Sequence, residues 1–173
     1  MPKIMLTTAF ANDDYASDER EQGLAHLRTL GELVDEPAIL GPEHAPDLIA
    51  SIASSSLYTD EFYEAASDLR IVARWGVGFD KVNVAAATRH GVIITVTPVH
   101  MDAVAEYAIA QWMATLKRVY TLNHLSHQGD FSIIKTYEAQ YSTLGLYGCG
   151  RIGQEVAQRA VPLLGENGRP IVY

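Results

Sequence analysis

The chain has 173 residues, 48% of them hydrophobic and 20% charged, enough for one ordinary domain with a core or for one domain and part of a second, and unlike a disordered or fibrous chain. Its 13 basic and 21 acidic residues leave a net charge of −8, which repels phosphate backbones and anionic lipid, so nucleic acid and membrane are not expected as partners. The single cysteine, Cys149, excludes an intrachain disulfide and suits a reducing, cytoplasmic setting.

In chain order, Lys3–Thr8 is a short apolar run that reads as a buried strand. Ala9-Phe10-Ala11 resembles a small-residue cleavage site, but Ile4-Met5-Leu6 is too short for the apolar part of a signal peptide. Residues 14–30 return Leu24, Leu27 and Leu30 at helical spacing, and Gly31 stops that helix. Glu32–Asp35 is a second strand and Asp47–Ile52 a third, with Ser54-Ser55-Ser56 as the following loop. Thr59 is a good N-cap for a short helix through Ala66. Arg70–Trp75 is a fourth strand and Gly76-Val77-Gly78 a turn. Val82–Arg89 is a helix closed by Gly91, and the β-branched run Val92–Thr97 is a fifth strand ended by Pro98. Alternating strands and helices predict a parallel sheet with helices on both faces.

The pattern then changes. Met101–Tyr120 reads as one long helix, apolar nearly all round and rich in alanine, which predicts burial on most sides. Its charged Asp102 and Glu106 keep it short of the roughly 20 apolar residues of a membrane span. It reads as a connector between two domains and a dimer contact. The division expected is a substrate domain over 1–99, a connecting helix over 100–125 and the first part of a cofactor domain over 126–173.

The most informative segment is Gly148-Cys149-Gly150-Arg151-Ile152-Gly153. It follows a predicted strand, Thr143–Tyr147, and opens a predicted helix with Ile152, Val156 and Ala160 on one face, the setting a dinucleotide fingerprint requires. Gly148 allows the tight turn, Gly150 lets a pyrophosphate approach the backbone, and Gly153 lets helix and strand pack closely. The helix N-terminus offers free amides to the phosphates. Cys149 is read as a spacer. Pro162 ends or kinks the helix, Gly165 and Gly168 make a turn, and residues 170–173 begin a returning strand. His124 and His127 lie three apart without a third ligand, so no metal site is expected.

Arg74-Trp75-Gly76-Val77-Gly78-Phe79-Asp80, Ala85-Ala86-Ala87-Thr88, Gly91, Thr97-Pro98 and Ala103-Val104-Ala105-Glu106, followed by the glycine loop, resemble the D-isomer-specific 2-hydroxyacid dehydrogenases. The resemblance runs from about Leu69 to Tyr173. It implies an α/β protein with a flavodoxin-like parallel-sheet substrate domain and the beginning of a Rossmann-type dinucleotide-binding domain. In that family the active site lies in the cleft between the two, and most members are dimers. It further implies that Gly76, Val77 and Gly78 present backbone amides to a substrate carboxylate and that Val77 also neighbours the nicotinamide. Val104 would line the cofactor cleft, and Gly148, Gly150, Arg151, Ile152 and Gly153 would hold the pyrophosphate.

The implied activity is NAD-dependent oxidation of a D-2-hydroxy acid, or reduction of the 2-oxo acid. NAD is the default and NADP remains open, because the discriminating acid would follow Tyr173. The family's catalytic arginine, carboxylate and histidine lie downstream of the glycine loop, so no catalytic residue is assigned here. The chain reads as the N-terminal part of such an enzyme, expected to be inactive alone. Alternatives are a co-repressor-like module that senses NAD, or a truncated paralogue acting in dimerisation. Departures from the family pattern are Val99 after Thr97-Pro98, where glycine is common, and Asn83, where aspartate is usual. Which acid is the substrate stays open.

Overall fold

The computed structural model describes residues 1–7, 17–165 and 171–173. The expected strand end at Thr8, the Ala9-Phe10-Ala11 stretch, the first residues of the 14–30 helix, Gly168 and Pro170 lie outside them. The chain divides into two compact units, Met1–Pro98 and Val99–Tyr173. Among the described residues no helix is long and apolar enough to cross a membrane.

The first unit is an α/β sheet. Strands β1 (Lys3–Leu6), β2 (Glu32–Asp35), β4 (Leu48–Ala53), β6 (Ile71–Arg74) and β7 (Ile93–Val96) form one sheet in the order β2-β1-β4-β6-β7. Every pairing in it is parallel. Numbered within the sheet, that is the 2-1-3-4-5 order of flavodoxin-like folds, in which strand addition across the sheet reverses between β1 and β4. Two-residue strands β3 (Ile39–Leu40) and β5 (Leu57–Tyr58) pair separately.

Helix α1 (Asp18–Leu30) starts at Ser17, whose side chain accepts from the Arg20 amide at 3.2 Å, with Asp18, Glu19 and Glu21 at the positive end of the dipole. It covers one sheet face through Leu24, packed with Ile4 and Leu6. Helices α2 (Asp60–Ala65) and α3 (Val84–Arg89) contribute to the other face, where Phe62, Tyr63, Ala86 and Ala87 join Met5, Leu48 and Val72 in the larger core. Thr59 caps α2 by accepting from the Phe62 amide at 3.2 Å. Tyr58, Phe62 and Tyr63 stack edge-on or tilted, with centroids 5.5–6.2 Å apart, and each fully buried ring stabilises the fold by about 1.5–3 kcal/mol.

One polar network enters this core. The Tyr58 hydroxyl donates to Glu36 Oε1 at 2.8 Å, and the Ser54 amide donates to Glu36 Oε2 at 3.2 Å. With its proton committed to the carboxylate, the Tyr58 oxygen accepts from the Ser51 hydroxyl at 2.6 Å. Burial first, and the Glu36 charge second, push the Tyr58 phenol well above its ordinary pKa, and burial does the same to Tyr63.

The second unit corrects three expectations. The long helix ends earlier than Tyr120: α4 runs Met101–Leu116, Arg118 turns left-handed at φ 51°, and a separate helix α5 (Val119–His127) follows. Thr115 bonds back to the Gln111 carbonyl at 2.8 Å and Tyr120 reaches Gln111 Oε1 at 2.5 Å, which ties the redirected chain to the helix it left. Helix α4 is also not buried on most sides. Ala105 is its only buried residue, while Val104 and Tyr107 are 47% and 66% exposed, because α6 (Arg151–Leu164) and α5 leave much of its circumference uncovered. Finally, Thr143–Tyr147 forms no full strand. A single parallel bridge joins Gly145 to Val172, with Leu146 donating to the Val172 carbonyl at 2.8 Å and Val172 to that of Leu144 at 3.0 Å.

Candidate functional site

In the first unit, the loop after β6 is held from two sides. The Thr97 amide donates to the Gly76 carbonyl at 2.9 Å, and the Thr97 hydroxyl to the Arg74 carbonyl at 2.9 Å. The Arg74 side chain donates through Nε to the Gly78 carbonyl at 2.6 Å and through Nη1 to the Ala53 carbonyl at 2.7 Å. Gly76 adopts φ 133°, a conformation an L side chain rarely takes, and a Cβ there would point into open space. Val77 and Gly78 are exposed, and among the described residues their amides have no hydrogen-bond partner. Adjacent unpaired amides in a glycine turn make a concavity suited to an anion.

In the second unit, Gly148 turns the chain at φ 99° and Gly150 is the N-cap of α6 without a side-chain cap. A Cβ on Gly153 would overlap the carbonyl oxygen of Gly148, so the third glycine is required by close approach of two backbone segments. A Cβ on Gly150 would meet nothing within 4 Å. The space in front of the helix start is therefore open, and the first-turn amides of Arg151, Ile152 and Gly153 form the positive end of the helix dipole. These residues fit a dinucleotide pyrophosphate. Arg151 is exposed and has no ion-pair partner among the described residues. Cys149 is half-buried, and its carbonyl accepts from the Gln154 side chain at 3.1 Å. Val104 lies on α4, within the same unit.

Helix α6 is anchored to α4 by Arg159, which donates to Asp102 Oδ1 at 2.8 Å and to Glu155 Oε2 at 2.5 Å. It passes Pro162 and ends at Leu164, and Gly165 leaves it at φ 69°. His100 is exposed, and no group of three or more metal-ligating side chains occurs among the described residues.

Two arrangements escaped sequence reasoning. Arg74 was legible as a flank of the turn but not as a bridge to Ala53, 21 residues earlier. Asn83, a departure from the usual aspartate, does two jobs: its Oδ1 accepts from the Ala86 amide at 2.9 Å to cap α3, and its Nδ2 donates to Asp60 Oδ1 at 2.5 Å. An aspartate could cap but could not donate to Asp60.

The family model for the catalytic domain of D-isomer specific 2-hydroxyacid dehydrogenases matches residues 42–165. A glyoxylate reductase of Pyrococcus furiosus is 32% identical over 170 residues, covering 92% of this chain and 50% of that protein. One of Thermococcus gammatolerans is 36% identical with the same coverage. Among solved structures, a glyoxylate reductase from Paecilomyes thermophila aligns with TM-score 0.74 at 25% identity, covering 94% of this chain and 53% of that one. The D-lactate dehydrogenase of Aquifex aeolicus, complexed with NAD and lactic acid, aligns with TM-score 0.76 at 19% identity, covering 93% and 49%, a likeness of fold. The chain spans about half the length of the curated relatives it matches over nearly its whole extent. With the family's model matched over most of its residues, this chain belongs to the D-isomer-specific 2-hydroxyacid dehydrogenase family.

Proposed function

We propose that this chain supplies the carboxylate-binding loop and the dinucleotide cradle of an oxidoreductase acting on a D-2-hydroxy acid, or in reverse on its 2-oxo acid. The observation that carries the proposal is the Gly148–Gly153 turn, where a glycine forced by close packing stands beside one that faces open space at a bare helix start. NAD is the cofactor proposed. When bound, it supplies the hydride-carrying nicotinamide.

The residues of this chain bind and orient. Amides of Arg151, Ile152 and Gly153 receive the pyrophosphate, and the free Arg151 guanidinium adds positive charge. In the first unit the Val77 and Gly78 amides receive the substrate carboxylate, with Gly76 shaping the loop; in the second unit Val104 is an apolar contact of the cofactor. None is assigned proton transfer, so turnover is expected only where further polypeptide adds those groups. The 1–99 segment is proposed as substrate domain and 126–173 as part of the cofactor domain, joined through 100–125. A homodimer is proposed on other apolar residues left exposed in the second unit, among them Tyr107, Phe131 and Ile133. The cytoplasm is the proposed location.

The test is titration of the protein with NADH, read by nicotinamide fluorescence, alongside Gly150→Val. Saturable binding by the wild type, lost in the variant, supports the proposal. No binding by the wild type, or equal binding by both, overturns it.

A further inference from the structure

We infer that Arg74 is the positioning residue of the 76–78 loop, aiming amides that its own side chain never touches; this rests on the carboxylate-binding reading above. A trans peptide is planar, so its N–H points opposite to its C=O. Pinning a carbonyl therefore aims the amide of the next residue. The Gly76 carbonyl is pinned by the Thr97 amide, which sets the direction of the Val77 N–H. The Gly78 carbonyl is pinned by Arg74 Nε at 2.6 Å, which sets the direction of the Phe79 N–H. The Gly78 amide lies between these two fixed planes. Without Arg74 the 78–79 plane loses its hydrogen bond, so the Gly78 amide is held only by the Gly76 carbonyl before it and the Phe79 carbonyl, bonded by the Val82 amide at 2.9 Å, after it, and glycine at 78 leaves the stretch between them free to rotate.

The arginine is itself held. Its Nη1 donates to the Ala53 carbonyl at 2.7 Å at the end of β4, and the Ala53 carbonyl also accepts from the Trp75 amide at 2.7 Å. Its own carbonyl accepts the Thr97 hydroxyl. One planar guanidinium thus spans the end of a central strand and the far side of the loop. A lysine, a point charge on a flexible stem, cannot hold two carbonyls in that fixed geometry. The charge matters as well: a cation bonded behind the loop favours an anion in front of it.

The experiment uses oxalate and glyoxylate as carboxylate probes, titrated into the 15N-labelled full chain and followed at the Val77 and Gly78 amides. Wild type, Arg74→Ala and Arg74→Lys are compared, with the amides of Leu48 and Val72 in the buried core of the same unit as internal controls of folding. Both variants are expected to weaken carboxylate binding by about 10- to 100-fold, the usual effect of losing a charged hydrogen bond. Millimolar guanidinium is expected to restore binding to Arg74→Ala, which a general loss of stability would not allow. Equal affinity in all three proteins overturns the inference and leaves the carboxylate reading standing. A wild type whose amides do not respond overturns both. If the variants fail to fold, the wild-type Arg74 Nε–H decides: slow exchange and a constant position during titration support a fixed bridge, and exchange as fast as an exposed arginine's refutes it.

Discussion

Gly150 and Gly153 belong to one turn, yet a methyl group would meet different surroundings at each. At Gly153 it overlaps the Gly148 carbonyl, and two backbone segments must separate to admit it. Gly153→Ala is therefore expected to lose about 1–3 kcal/mol of stability, as overpacking does, and to weaken NADH binding by displacing the helix start. At Gly150 the methyl group enters open space. Gly150→Ala is expected to cost less, below about 1 kcal/mol as the helix N-cap changes from glycine to alanine, while still weakening NADH binding. Urea denaturation and NADH titration of both variants separate packing from ligand contact, and equal stability losses would refute the distinction. The close packing at Gly153 was legible in the spacing of the motif. The Asn83 bridge to Asp60 was not, because 23 residues separate partners that only the packing of α2 against α3 brings together.

At the scale of elements, most strands and helices were legible because caps, β-branched runs and helical spacing are local signals. The break at Arg118 was not. No glycine or proline marks it, and an arginine in the left-handed region is unfavourable by about 1–2 kcal/mol. Contacts made after the turn hold it: Lys117 Nζ donates to the Tyr137 carbonyl at 2.8 Å and the Tyr137 amide to the Leu116 carbonyl at 3.0 Å. Arg118→Gly removes the steric cost at some entropic expense and is expected to raise stability by about 0.5–1 kcal/mol. Arg118→Val, β-branched at positive φ, is expected to lower it by more than about 1 kcal/mol. Thermal unfolding of the pair measures the difference, and equal midpoints would show that the turn stores no such cost. The strands β3 and β5, two residues each, were also missed: a pairing that short leaves no periodicity to read.

At the scale of the whole molecule, the buried network of Glu36, Tyr58 and Ser51 makes stability depend on alkaline pH. The folded pKa values of Tyr58 and Tyr63 are raised, so both stay protonated where unfolded tyrosine ionises near pH 10. The unfolded state then binds fewer protons than the folded one. The contribution is complete below about pH 10 and is lost as pH rises, by about 1.4 kcal/mol per pH unit for each phenol. Tyrosinate absorbance at 295 nm should show two tyrosines ionising only with unfolding, and Tyr58→Phe should reduce that number to one. It should also cost about 1–3 kcal/mol at neutral pH, because Glu36 Oε1 loses its donor in the core and only the Ser54 amide on Oε2 remains. A smooth titration of every tyrosine before unfolding would contradict this account.

By itself the sequence determined the α/β class, the positions of the main strands along the chain, the placement of the two glycine turns and the family. Each depends on signals within a few residues of one another: apolar runs, caps, and glycines required by local geometry. The tertiary structure decided what those signals could not carry. It set the 2-1-3-4-5 strand order, the partners of Arg74, Asn83 and Glu36, and how little of α4 is covered. These depend on which distant segments meet, and hydrogen bonds and apolar burial between distant segments leave no periodic trace in the chain that makes them.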